Sequence, residues 1–164
     1  MSSESPRATA YPMPGQPGPL GRLDTFSGVE FDTKVAVVLR DDLAAWQTAN
    51  VTAFLVSGIA GTVDGVVGEP YRDGSGEEYL PMFVQPVFVY QADAGGLRRA
   101  FDRALSRGVT PAVYTQDLFE TNHDEANRAA VAGVATEDLD LVGIAFRAER
   151  KTVDKVVDKL RFHP

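Results

Sequence analysis

The stretch Lys34-Val-Ala-Val-Val-Leu-Arg-Asp-Asp-Leu43 decides how the chain is read. Five apolar residues in a row, Val35 to Leu39, cannot alternate between core and water as a half-exposed strand does. They predict a central strand in a sheet covered on both faces. The run breaks at Arg40, Asp41 and Asp42. The spacing beyond predicts a helix from about Leu43 to Ser57, with an aspartate as N-cap and Gly58 and Gly61 as C-terminal stops. A strand end running into a helix start is where α/β sheets commonly place sites, because backbone groups are left unpaired there.

Working outward, residues 64–80 carry Gly65, Gly68, Pro70, Gly74 and Gly76, and Asp73-Gly74 marks a tight turn, predicting an inserted hairpin or flap. Met82 to Tyr90 predicts a second strand. It must be interrupted or near an edge, because Pro81 and Pro86 lack a backbone donor. Leu97, Ala100, Phe101, Ala104 and Leu105 recur at helical spacing up to Gly108. Ala112 to Thr115 predicts a third strand. Asn122 and Glu125 have the spacing of a capping box for a short helix, Leu139 to Phe146 predicts a fourth strand, and Val153, Val156, Val157 and Leu160 mark one face of a terminal helix. The alternation predicts a single α/β domain over residues 29–164, a three-layer sandwich with a mixed, mainly parallel sheet of about four strands. Five of the ten prolines fall in the first twenty residues, so residues 1–28 are expected to be a disordered Pro/Gly-rich tail.

Composition narrows the function. Hydrophobic residues make up 44% of the chain and charged ones 24%, enough to bury a sizeable core. Sixteen Lys and Arg against 23 Asp and Glu leave a net charge of −7, whose long-range field disfavours nucleic acid as a partner. The absence of cysteine excludes disulfides, thiolate metal sites and a cysteine nucleophile. No stretch has the roughly 20 apolar residues needed to span a bilayer, so a cytoplasmic location without membrane association is expected.

Asp41 and Asp42 could bind a ligand hydroxyl or a cation, or cap the helix that follows. On that helix Trp46 and Asn50 share a face at i, i+4 with Gln47 beside them, coupling an aromatic wall to neutral amides. Packing of Trp46 into the core is the competing expectation. Asp117 and Thr121 lie one turn apart after the third strand, where the carboxylate could orient the hydroxyl or act as a base toward water; local capping is the alternative. Tyr114 and Asn127 are companions. His123 and His163 have no partner set, so no metal site or cofactor is expected, and His123 reads as a solvated loop histidine. Lys151, Lys155 and Lys159 form a basic stripe, with Arg150–Asp154 and Lys155–Asp158 spaced for surface ion pairs.

Several segments carry a resemblance. Lys34 to Leu43, the Gln116, Asp117 and Thr121 loop, and Val142 to Phe146 followed by Asp154 and Lys155 resemble type 2 peptidyl-tRNA hydrolases. The whole of Phe31 to His163 more closely resembles domain of unknown function 2000, a family usually grouped with that fold. Its pieces are Asp42 to Asn50, Gly68 to Asp73, Tyr114 to Thr121 and Asp124 to Arg128. The resemblance implies the hydrolase-like fold. It also exposes a departure, for the hydrolases' first-helix lysine falls here at Ala49 or Asn50, and later positions of the same motif hold Phe54 and Ser57.

The expectation is a binding or accessory protein for an unidentified small molecule, with a pocket built from Asp42, Trp46, Asn50, Asp117 and Thr121. The alternative is a hydrolase of a small ester or amide, with Asp117 and Thr121 at work and Asn50 polarising the carbonyl. Peptidyl-tRNA cleavage ranks third. A homodimer through Gly65 to Leu80 is a further expectation.

Overall fold

Six consecutive buried residues, Lys34 to Leu39, form the middle of β1 (Thr33–Arg40) in a computed structural model that describes residues 31–164. The expected tail, residues 1–28, lies outside the described residues. From β1 the chain continues through α1 (Ala45–Thr62), β2 (Tyr71–Arg72), β3 (Glu78–Tyr79), β4 (Val87–Ala92), α2 (Ala94–Leu105), β5 (Ala112–Thr115), α3 (Asp124–Ala132), β6 (Leu141–Glu149), α4 (Arg150–Val156) and β7 (Arg161–Phe162). Short 3-10 turns cover Gln116–Phe119 and Thr136–Asp138.

Five strands form one mixed sheet in the order β5-β6-β1-β4-β7, while β2 and β3 pair separately. Alternation along β1 splits the core. Ala36 and Val38 join α2, α4 and Phe146 on one face. Val35, Val37 and Leu39 join Val51, Leu55 and Ile59 of α1 on the other. The arrangement has three layers, and each fully buried Val, Leu or Ile contributes roughly 1.5–3 kcal/mol of hydrophobic stabilisation.

The expected predominance of parallel strands is incorrect. Only β1 and β4 pair parallel; β1–β6, β5–β6 and β4–β7 are antiparallel. A strand-helix-strand pattern implies a parallel crossover only when the helix crosses the sheet. α3, between β5 and β6, buries none of its residues and so cannot be such a crossover. The count of about four strands becomes five because β7 is two residues long and has no readable period.

Helix boundaries also differ. α1 runs past Gly58 and Gly61, and its N-cap is Ala44, whose amide donates to Gln47 Oε1 at 2.9 Å. Asp42 pairs with Arg40 instead of capping. Pro81 and Pro86 both precede β4, which starts at Val87 and not at Met82.

Across residues 64–80 the β2–β3 pair is closed around Asp73, whose Oδ1 accepts from the amides of Ser75 at 2.8 Å and Glu77 at 3.0 Å. These bonds, Glu77's first, hold the Asp73 carboxyl below its ordinary range.

One glycine is dictated by contact. A Cβ on Gly143 of β6 would sit 2.8 Å from Val51 and 3.0 Å from Leu55, so α1 can lie this close to the sheet only over a bare backbone. The bulge between β5 and β6 skips Val142, since Tyr114 faces Gly143 and Thr115 faces Leu141. It closes the β5 end where the site forms.

Candidate functional site

α1 buries Val51, Leu55 and Ile59. Trp46, Asn50 and Phe54, at i, i+4 and i+8, therefore form the neighbouring ridge of the helix. That ridge is one wall of a cavity of about 590 Å³. Tyr114 at the end of β5, Leu118 and Phe119 of the 3-10 turn, and Thr121, His123 and Asn127 at the start of α3 supply the rest. The volume suits a small organic ligand.

The apolar part of the lining is a series of ring contacts. Trp46 meets Phe119 edge-on at 5.8 Å, Phe119 meets Tyr114 at 5.1 Å, and Phe54 meets Tyr114 edge-on at 6.0 Å. Trp46 is 64% exposed, so it is a wall of the cavity and not part of the core. Along the rings runs a set of neutral polar groups. Asn50 Nδ2 donates to the Tyr114 hydroxyl, which donates to the Leu118 carbonyl, both at 3.4 Å. Burial pushes the Tyr114 phenol above its ordinary range, and the Asn50 bond opposes the shift. Thr121 Oγ1 reaches the Leu118 carbonyl at 3.0 Å and also Asn127 Oδ1. Neither partner is a base at neutral pH, so this hydroxyl is positioned but not activated.

The structure thus brings together Trp46, Asn50, Tyr114, Thr121 and Asn127 and separates them from the other expected site residues. Asp117 is exposed and does not line the cavity. Asp42 is held by Arg40, which also bonds Asp140 and Gln116. Asp41 lines a different recess, with Asp93 and Arg99. Gln47 is committed to the start of α1.

His123 is the exposed residue outside a helix that was expected, with a local role in addition. It is the N-cap of α3, with Nδ1 accepting from the Ala126 amide at 3.2 Å. That bond uses the Nδ1 lone pair as its acceptor. The acidic pair Asp124-Glu125 marks the first turn of the helix and could have identified the residue before it as the cap. Phe54 was also legible at i+8 from Trp46. Phe119 and Leu118 were not, because a 3-10 turn has no hydrophobic period to read. Thr115, next to Tyr114, buries its hydroxyl without a partner among the described residues.

Among the described residues no cluster of three or more His, Asp or Glu side chains is placed to hold a metal ion. No helix among them is long and apolar enough to cross a membrane.

Comparison with known proteins places the whole described core in one group. The model of a family described as a protein of unknown function (DUF2000) matches residues 33–164. A solved structure of a protein of unknown function, Atu0240, from Agrobacterium tumefaciens strain C58 is 46% identical, with a TM-score of 0.80, covering 82% of this chain and 99% of its own. No curated protein matches the chain.

Proposed function

The chain belongs to the DUF2000 family of proteins of unknown function, and from the chemistry of its own cavity we propose that it binds a small, neutral, planar ligand bearing an amide or hydroxyl group. The carrying observation is the run of ring contacts from Trp46 through Phe119 and Tyr114 to Phe54 beside the amides of Asn50 and Asn127. Rings recognise a flat apolar body at low entropic cost, and the amides fix its orientation. The carboxylate of the lining is already engaged, since Asp124 pairs with Arg128, and His123 Nδ1 caps α3.

Trp46 is the only tryptophan in the chain and reports directly on this cavity. Titration with aromatic carboxamides such as benzamide and nicotinamide should give a saturable change in its emission. Asn50→Ala and Asn127→Ala should each weaken binding by about three- to tenfold, the loss of one neutral hydrogen bond. A flat response into the millimolar range, or an unchanged affinity in the double variant, would refute the reading.

Turnover of a small ester or amide is the second reading, favoured by the Thr121 hydroxyl and the Asn50 amide opening onto one cavity. Asp117 does not line that cavity and no base contacts Thr121, so retention is favoured over hydrolysis. Peptidyl-tRNA ranks last, since neither Lys nor Arg lines the cavity to meet an RNA phosphate.

A further inference from the structure

The basic stripe Lys151, Lys155 and Lys159 has a counterpart along α2 and the turn that follows it, where Arg99, Arg103 and Arg107 recur at the same spacing of four. β4 and β6 run in opposite directions, so the helices after them, α2 and α4, pack antiparallel on one face of the sheet. The two ladders therefore meet in reverse order. Arg103 and Arg107 face Lys151 and Lys155 across a recess of about 510 Å³, and Arg99 faces Lys159 across an adjoining recess of about 290 Å³. Lys159 continues its ladder beyond the end of α4 with a φ of 66°, a conformation rare for a side chain of this kind.

Arg103 is fixed at the junction, donating to the Val156 carbonyl at 3.4 Å and the Asp158 carbonyl at 3.2 Å. The ion pairs expected within α4 do not form. Asp154 is taken by Lys34 at 2.7 Å, and among the described residues none of the six cations is in a salt bridge. Four carboxylates also border the groove, Asp154 and Asp158 in the larger recess and Asp41 and Asp93 in the smaller, where Arg161 adds a further cation; Asp154 is the one already paired, with Lys34. Positive charge is therefore densest between Arg103, Arg107, Lys151 and Lys155.

We propose that the groove between α2 and α4 binds a short polyphosphate chain. Each ladder spans on the order of 12 Å at a helical rise of about 1.5 Å per residue, so six cations supply about one charge per 2 Å. An extended acidic peptide carries one carboxylate only every ~3.3 Å even when both of its faces are counted against both walls. A polyphosphate chain comes nearer the density of the groove. The net charge of −7 acts over longer distances and is screened beyond about 8 Å at physiological ionic strength. A ligand no longer than the groove escapes that repulsion, whereas a nucleic acid strand must run out over the acidic surface.

The full-length protein, titrated calorimetrically with inorganic tripolyphosphate at physiological ionic strength, should show saturable 1:1 binding, and orthophosphate should bind far more weakly. Lys151→Gln with Lys155→Gln should weaken tripolyphosphate by about tenfold, the effect of two lost charge contacts. Removing two charges elsewhere, with Arg72→Gln and Arg128→Gln, should leave affinity within about twofold. ATP bound as tightly as tripolyphosphate would show that the chain alone is recognised, and tighter ATP binding would mark a nucleotide as its source. Equal losses in the two double variants would reduce the effect to net charge and overturn the site. So would an absence of heat, equal binding of orthophosphate, or tighter binding of hexaglutamate or a single-stranded oligonucleotide. Unchanged thermal stability of both double variants separates lost affinity from lost structure.

Discussion

The two faces of the central sheet are built from the same strands and carry opposite chemistry. On the α1 face the core of Val35, Val37, Leu39, Val51 and Leu55 borders a cavity of rings, amides and hydroxyls. On the α2–α4 face a core of the same apolar kind, around Ala36, Val38, Phe146 and Val153, borders a groove dominated by cations. The cores are interchangeable in character because burial alone selects them. The contrast arises one helical ridge away, at positions flanking the buried stripe, where side chains are free to vary without loss of packing. Two independent sites can therefore share one scaffold, and that independence can be tested by disturbing each face in turn.

The largest effects should come from the cores. Phe146→Ala, at a side chain 1% exposed on the groove face, should cost about 3–5 kcal/mol in chemical denaturation. Gly143→Ala should cost about 1–3 kcal/mol, because the new methyl presses on Val51 and Leu55 and lifts α1. With both variants still folded, Phe146→Ala should impair tripolyphosphate binding more than carboxamide binding, and Gly143→Ala should do the reverse. Equal losses of both ligands in either variant would mean that the faces are coupled.

A smaller effect should appear at the ion pair beneath the groove. Lys34 has a side chain 8% exposed and lies over the Phe88 ring at 5.4 Å, while its partner Asp154 is 56% exposed. Asp154→Ala strands a buried ammonium and should cost about 1–3 kcal/mol, discounted from a fully buried pair because the carboxylate is half in water. Lys34→Met keeps the apolar stem and leaves the carboxylate solvated, so it should be close to neutral. Asp154→Ala also removes a negative charge from the groove, so stability should fall while tripolyphosphate affinity rises. A fall in both would mean that Asp154 serves the groove by holding Lys34 and α4 in place, and that this outweighs its charge.

How far this contrast could be read beforehand follows from which signals are local. The continuous run of β1 and the spacing of Leu97, Ala100, Phe101 and Ala104 gave a central strand and α2, because burial on two faces or one leaves a periodic mark. Trp46 and Asn50 came together because both sit on one helix. Asp117 did not join them, since a 3-10 turn advances about 120° per residue and turned its carboxylate outward. Strand direction is not legible, because nothing in the sequence distinguishes a short helix lying off the sheet from a crossover. β7 was invisible for a related reason. Arg161 and Phe162 are too few to show a period, and their pairing depends on Phe162 stacking on Tyr90 at 4.8 Å, a contact distant in sequence. The opposing Arg and Lys ladders were each legible, but their meeting required the direction of two strands.

The smallest predicted effect separates the cavity from its surroundings by titration. Burial of Tyr114, 5% exposed, raises its phenol above the ordinary tyrosine range, and the hydrogen bond from Asn50 partly offsets that. A folded value above the unfolded one means that the native state holds this proton more tightly. The associated stability is therefore complete below about pH 10 and is lost as pH rises through the folded value. Ultraviolet phenolate absorbance should show a component above the ordinary tyrosine range that disappears in Tyr114→Phe. Asn50→Ala removes the group that favours the phenolate, so the same component should move further up. Variants in the groove, Lys151→Gln and Lys155→Gln, should leave it in place, since they lie across the sheet. A downward shift in Asn50→Ala would mean that solvent entering the emptied cavity outweighs the lost hydrogen bond, and that the amide shields the phenol more than it pairs with it.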